Sequence, residues 1–507
     1  MSCYLIAVGG TGAKIAEATL HLAAAGILPS PCELSVLFVD TDEGNGSLGR
    51  AIRVAQRYLD CYGLFKGTIS LFNANVNLLL RVPWSPIGKD RKTLRSIFGP
   101  SKVEEHVMRC LFTDTDPRVA GQPEPLPGEL ELDLTEGFRA RAAIGSAVWA
   151  RTLNWAKSRP FEQLAKEMKD KRQNNNVKVM LTGSIFGGTG ASGVPTIARL
   201  LHDEIGQDKG GKNFEIGLLP ALPYFTYGDV GRPGEITADP SAFLANTKQA
   251  LDYYEKRGYL KFFEAIYLIG DECPAQMRKP AVGRGEQTNE PLYTELMAAL
   301  GIAHFYHAAP GEAGGDGGKP IGHLYLSSRE NKLKLTWNDL PMDESVHIAF
   351  EKKLRQLARF AVALRYCFEP TITSVYKDGA AYRAPWYIDF LKRKNKFDEA
   401  ENRNLESVKL YCESFLEWSM DVTRPNTQGF ETRLFDRAVF CREKDDRRLR
   451  LASDDEFRLS GLEGLFVDKQ EERASLDDIW AKACDTKPPH PPLDGVARAL
   501  QAIYSSC

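Results

Sequence analysis

Residues 182–195, TGSIFGGTGASGVP, place five glycines between the apolar run VKVML (177–181) and the helically spaced TIARLLHDEI (196–205). A buried strand that passes into a helix through glycines leaves bare backbone N–H groups at a helix N-terminus. That arrangement suits an anion, most often phosphate, and its plainer reading is a tight strand-to-helix turn. A second glycine turn has the same setting: YLIAV (4–8), GGTG (9–12), then AKIAEATLHLAAAG (13–26). LSVLFVD (34–40) is the next apolar run. Strand, glycine turn, helix and strand make a βαβ unit, and short continuous apolar strands suit a buried parallel sheet.

The alternation continues with strands at FEIGLLPAL (214–222) and EAIYLIGD (264–271) and helices at 142–171, up to about 206, and at 241–257. It predicts an α/β fold with a doubly wound parallel sheet over roughly the first 275 residues. NEPLYTELMAALGIAHFYHA (289–308) predicts a long helix with Pro in its first turn. PGEAGGDGGKP (310–320) reads as a turn between the strands HLYLSS and KLKLTW, and 344–368 as an amphipathic helix. Beyond 370 the pattern is mostly helical. A charged stretch covers 441–458, and KPPHPPL (487–493) is a stiff linker before a terminal helix.

Net charge is −2, from 65 basic and 67 acidic residues, so no whole-protein field points to nucleic acid or an anionic membrane. Ten scattered cysteines form no C-x-x-C pair, which suits a reducing cytoplasm. His304 and His307 stand three apart without a second ligand pair and read as helix-surface or helix-packing residues rather than zinc ligands. The N-terminus lacks a signal-peptide pattern, and no apolar run reaches the ~20 residues of a membrane span. The expectation is a soluble cytoplasmic protein with no membrane span.

The first turn, followed by Asp40 at the end of the next strand, also suggests a dinucleotide-binding unit. Counted from Gly10, however, the third glycine of G-x-G-x-x-G falls on Ile15. No G-x-x-x-x-G-K-[ST] occurs, which excludes a P-loop. A dehydrogenase has no use for a second GGTG after a later strand, whereas two glycine turns can flank one polyphosphate.

Here the chain resembles the tubulin and FtsZ superfamily, in its divergent bacterial tubulin-like branch. GGTGASG is similar to the signature phosphate loop G-G-G-T-G-[ST]-G, and AVGGTGA to the first phosphate loop. VLFVDTDE resembles the second-strand loop, and EGFRARAAIG falls where the terminal-phosphate loop stands. TNEPLYTEL resembles the start of the central helix, and LTWNDLP the catalytic loop N-x-D-[LF]. All occur in the family's order over residues 1–370. Phe186 replaces the first signature glycine, one extra residue precedes the last, and Trp337 stands in the place of the catalytic-loop Asn.

The resemblance implies a GTP/GDP site with Mg2+. Gly9, Gly10, Thr11 and Gly12 would wrap the phosphates from one side, and Gly187, Gly188, Thr189 and Gly190 from the other. Asp42 would hold the metal through water, with Asp40 toward ribose or metal water. Arg141, with Arg139, would face the terminal phosphate. Asn289 would pair with the base, Asp271 could reach it, and Asp239 could contact ribose. Asp339 would be the catalytic acid, entering a neighbouring subunit's site, with Asp343 and Glu344 as fallbacks. Each has a plainer reading as well: Asp40, Asp42, Asp239 and Asp271 as turn or cap residues, Arg139 and Arg141 as solvated arginines, Asn289 and Asp339 as helix caps. The domains implied are a Rossmann-like GTP-binding unit at 1–275 and the central helix region at 276–308. A diverged, mostly helical second domain at 309–430 and a C-terminal extension at 431–507 follow. The expected function is a GTP-binding protein that self-associates head to tail and hydrolyses GTP at subunit contacts, with a possible protein partner for the C-terminal region. The alternatives are a non-hydrolysing nucleotide-binding scaffold, favoured by Trp337, and an NAD(P)-dependent oxidoreductase.

Overall fold

A computed structural model describes residues 1–65, 69–88, 90–99, 102–116, 126–153, 160–206, 213–227, 238–277, 289–309, 321–327, 334–340, 344–365, 399–423, 431–435, 441–443, 449–451, 476–487, 493 and 495–507. The first half alternates as expected: β1 (Ser2–Val8), α1 (Gly9–Ala24), β2 (Glu33–Val39), α2 (Gly46–Phe65) and β3 (Asn75–Leu78). Then follow α3 (Ala142–Thr152), β4 (Val177–Ser184), α4 (Gly188–Leu201), β5 (Phe214–Ala221), α5 (Phe243–Lys256) and β6 (Ala265–Asp271). Farther along come α6 (Tyr293–His307), β7 (Ile321–Ser327), α7 (Glu344–Ala363), α8 (Glu399–Val422) and α9 (Gly495–Ser506).

The strands form one seven-stranded sheet in the order β3-β2-β1-β4-β5-β6-β7, with every neighbouring pair parallel. This is the order of a doubly wound, Rossmann-like sheet. Period-two alternation splits β1 between two cores. Cys3, Leu5 and Ala7 join a core with residues of α1, α2 and α6, while Tyr4, Ile6 and Val8 join another with residues of α3 and α4. Helices therefore cover both faces, which explains why the strand sequences run continuously apolar. Buried residues of α7, α8 and α9 continue the first core outward.

The predicted helix at 289–308 is α6, but it begins at Tyr293 with Leu292 as its N-cap, so Pro291 lies before the first turn and Asn289 is not the helix cap. Thirteen of its 15 residues are buried, so it is enclosed on all sides rather than amphipathic. It packs on α1, β5 and β6. The Tyr306 hydroxyl donates to the Tyr4 carbonyl at 2.8 Å. Lys178, buried on β4, donates to the carbonyls of Phe305 and Ala308 at 2.8 and 2.6 Å and pairs with Glu215 at 3.2 Å. Its ammonium thus caps the C-terminus of α6, where the helix dipole favours a cation. His304 meets the Tyr267 hydroxyl and His307 the Ile27 carbonyl. Both histidines are exposed on the helix surface, each with a hydrogen-bond partner.

The terminal helix α9 is packed in as well. The Glu401 carboxylate accepts from the Val496 N–H at its start, and Gln356 and Arg359 of α7 donate to carbonyls near its end. Among the described residues no helix is long and apolar enough to cross a membrane.

Candidate functional site

β1 and β4 are neighbours, but the chain leaves β1 toward β2 and β4 toward β5. A crevice opens at the carboxyl ends of such a pair, and open α/β sheets bind their ligands there. Both glycine turns lie at this point. Gly9, Gly10 and Thr11 line the pocket from one side, and Gly187, Gly188, Thr189 and Gly190 from the other. α1 begins at Gly9 and α4 at Gly188, and neither start carries a side-chain cap. Two sets of first-turn N–H groups are therefore available to an anion.

The glycines serve different ends. Gly9 has φ +76°, a conformation glycine adopts without strain. A Cβ on Gly188 would lie 2.5 Å from Cβ of Phe138, so this glycine lets the second turn close on the loop at 136–140. A Cβ on Gly12 would lie 2.9 Å from both the Ala7 carbonyl carbon and the Thr182 oxygen. Gly12 is thus a packing residue of α1 against β1 and β4, outside the pocket lining.

Asp40 and Asp42, past the end of β2, stand in the same pocket, both 3% exposed. Asp40 accepts from the Thr41 N–H at 2.8 Å and from the Asp42 N–H at 3.4 Å, with the Thr189 hydroxyl of the second turn nearby. Burial, and then the nearby Asp42 carboxylate, raise Asp40 to about 7 in spite of these donors. Asp42 accepts from the Gly44 N–H at 3.0 Å. Among the described residues no group of three or more His, Cys, Asp or Glu could hold a metal ion alone. Two carboxylates do suit Mg2+ when phosphate oxygens and water complete its shell.

The loop at 136–140 forms a third wall, and Arg139 lines it. Gly137, Arg139 and Ala140 all have positive φ, at 86°, 45° and 60°. Left-handed backbone at two successive non-glycine residues is strained. Asn246 of α5 holds this loop to the second turn by donating to the carbonyls of Ala140 and Phe186 at 3.3 and 3.4 Å. Phe186, Phe225, Tyr227 and Phe243 give the pocket an aromatic side.

Asn289 lines the pocket, and its carbonyl is held by Arg50 at 3.2 Å. Arg50 in turn binds both oxygens of buried Glu17 at 2.8 Å. Lys14, three residues before Glu17 on α1, also lines the pocket and pairs with Glu295 at 2.5 Å.

Other expected residues lie outside the lining. Arg141 precedes α3 and pairs with Glu129 at 3.0 Å. Asp239 caps a short turn by accepting from the Ser241 N–H at 2.9 Å, next to pocket-lining Ala238. Asp271 ends β6 and accepts from the Cys273 N–H at 2.9 Å. Asp339 accepts from the N–H and hydroxyl of Thr336 at 2.8 and 3.1 Å, within its own turn. Trp337 is fully buried and donates to the Leu434 carbonyl at 2.7 Å, so it serves the core. Asp343 lies outside the described residues, and Glu344 opens α7.

Sequence reasoning overlooked Lys14, Asn45 and Asn246. Lys14 was legible as the residue one helical turn beyond Gly10. Asn45 caps α2 by accepting from the N–H groups of Ser47 and Leu48, and its amide lies against Gly10. Asn246 has no sequence signal, because its role comes from two loops meeting in space. No protein-family model matches the chain, and no curated protein sequence matches it.

Proposed function

We propose that this is a tubulin/FtsZ-like GTP-binding protein that assembles head to tail and hydrolyses GTP at subunit contacts. The observation that carries the nucleotide part is the convergence of two uncapped helix starts, two glycine turns and the Asp40–Asp42 pair in one pocket at the switch point of the sheet. The turns offer N–H groups to a polyphosphate, Asp40 and Asp42 hold Mg2+ beside it, and the aromatic side with Asn289 receives the base. Bound there, Mg2+ would neutralise phosphate charge. The buried helix α6 and the order of the family-like motifs support the tubulin/FtsZ assignment over a nicotinamide enzyme.

A second reading is a scaffold that binds nucleotide without hydrolysing it. The engagement of Asp339 with Thr336 in its own turn favours it. Titration with labelled GTP, GDP and NADH, with and without Mg2+, tests the main proposal. Mg2+-dependent GTP binding tighter than NADH binding is expected. NADH binding that excess GTP does not displace overturns it. Phosphate release assayed on the same samples separates the two nucleotide readings.

A further inference from the structure

Lys14 stands apart from the other polar residues of the pocket. It is 2% exposed yet lines the cavity, and among the described residues Glu295 is the polar group its ammonium contacts, at 2.5 Å. An ammonium has three donors, and a buried one left with spare donors has a strong claim on any acceptor that enters. The position is fixed. The ammonium sits 5.6 Å from the Tyr224 ring centre and 5.7 Å from that of Phe225, a pocket residue. The Tyr224 hydroxyl and the Leu292 N–H both donate to Glu295, which holds the carboxylate in place. The same face of α1 leads through Glu17 and Arg50 to Asn289. Lys14 thus stands beside the aromatic side of the pocket, with Asn289 reached from the same helix face through Glu17 and Arg50.

Resting on the nucleotide reading above, we infer that Lys14 is the residue that selects the base, donating from its ammonium to the O6 and N7 acceptors of a 6-oxopurine. A 6-aminopurine offers N7 but sets an N–H2 donor where O6 would be, so it turns a donor toward the cation. A charged donor to a base acceptor in a water-poor pocket gives discrimination of roughly 10- to 100-fold. The 2-amino group takes no part in this contact, so GTP and ITP bind alike while ATP binds more weakly.

The test is equilibrium binding of GTP, ITP and ATP with Mg2+ to the full-length protein and to variants. Lys14→Met alone leaves Glu295 a buried carboxylate without its cation. The paired variant Lys14→Met/Glu295→Gln is therefore measured beside it, with thermal melting as the control for folding. In the wild type, GTP and ITP should each exceed ATP by at least about tenfold. In the folded paired variant all three should fall within about threefold of one another, because the selective donor is gone. GTP-over-ATP selectivity that persists in the folded paired variant overturns the inference, as does ITP that behaves like ATP in the wild type. Wild-type protein that binds neither a nucleotide nor Mg2+–tripolyphosphate overturns the nucleotide reading itself, and this inference with it.

Discussion

Single residues decide what the pocket can hold. Asp40 is buried beside Asp42 and raised to about 7, far above an unperturbed carboxylate. A carboxyl whose folded pKa lies above its unfolded one costs the fold nothing below about pH 4, and the cost grows as pH rises through 7. Free protein should lose up to roughly 4 kcal/mol over that window, and a divalent cation should recover much of it. The Mg2+-induced rise in melting temperature should accordingly grow between pH 6 and pH 8, and Asp40→Asn should flatten that dependence. An Mg2+ shift that is the same at both pH values excludes the site. Glycines of one turn separate in the same way. Gly12→Ala presses a methyl on backbone atoms and should lower stability by about 1–3 kcal/mol, measured by denaturant unfolding. Gly10→Ala meets the movable side chain of Asn45. It should spare stability and weaken nucleotide binding.

Secondary-structure elements were legible where their environment is uniform. β1, β2, β4 and β5 are buried on both faces and β6 on one with the other half-buried, so their apolar runs announced them within two or three residues. α2 escaped notice because it opens GSLG and holds a third glycine, although Leu48, Ala51, Ala55 and Tyr58 repeat at helical spacing and are buried. β3, four residues with two asparagines, is an edge strand with no apolar signature. The glycine turns and Asp40 were readable because a chemical pattern marks them. Lys14 was legible from its spacing after Gly10 but overlooked, whereas Phe138 and Asn246 were not legible, since each matters only through a segment remote in sequence. The same limit applies to Lys178, an ordinary strand lysine until α6 ends over it. Lys178→Met removes a cation from two helix-terminal carbonyls and from Glu215, and should cost about 3–5 kcal/mol in denaturant unfolding. Lys178→Met/Glu215→Gln should restore part of that. A cost below about 1 kcal/mol would mean that water replaces the ammonium.

The whole molecule places its pocket at one end of the sheet, where an adjacent copy stacked head to tail could reach it. On the hydrolytic reading, Asp339 acts across that contact. Asp339→Asn keeps an acceptor for Thr336 but removes the charge. It should lower turnover by at least about a hundredfold while leaving nucleotide affinity within about twofold. Specific activity of the wild type should rise with protein concentration, since complete sites exist only between subunits. A constant value over about a hundredfold dilution points to a site complete within one chain.

The sheet order also has a consequence in time. Ser2 pairs with Val177, so the two central strands are separated by about 175 residues of chain. At ordinary rates of synthesis the ribosome needs roughly 10–35 s to cover that distance. Throughout that interval β1 can be joined by β2 on one side only, and its other edge is open to pairing with foreign strands. The first glycine turn meanwhile has nothing to face. On the nucleotide reading, the ligand can therefore secure a finished sheet but cannot guide the making of its first half, and the open edge of β1 waits for β4 alone.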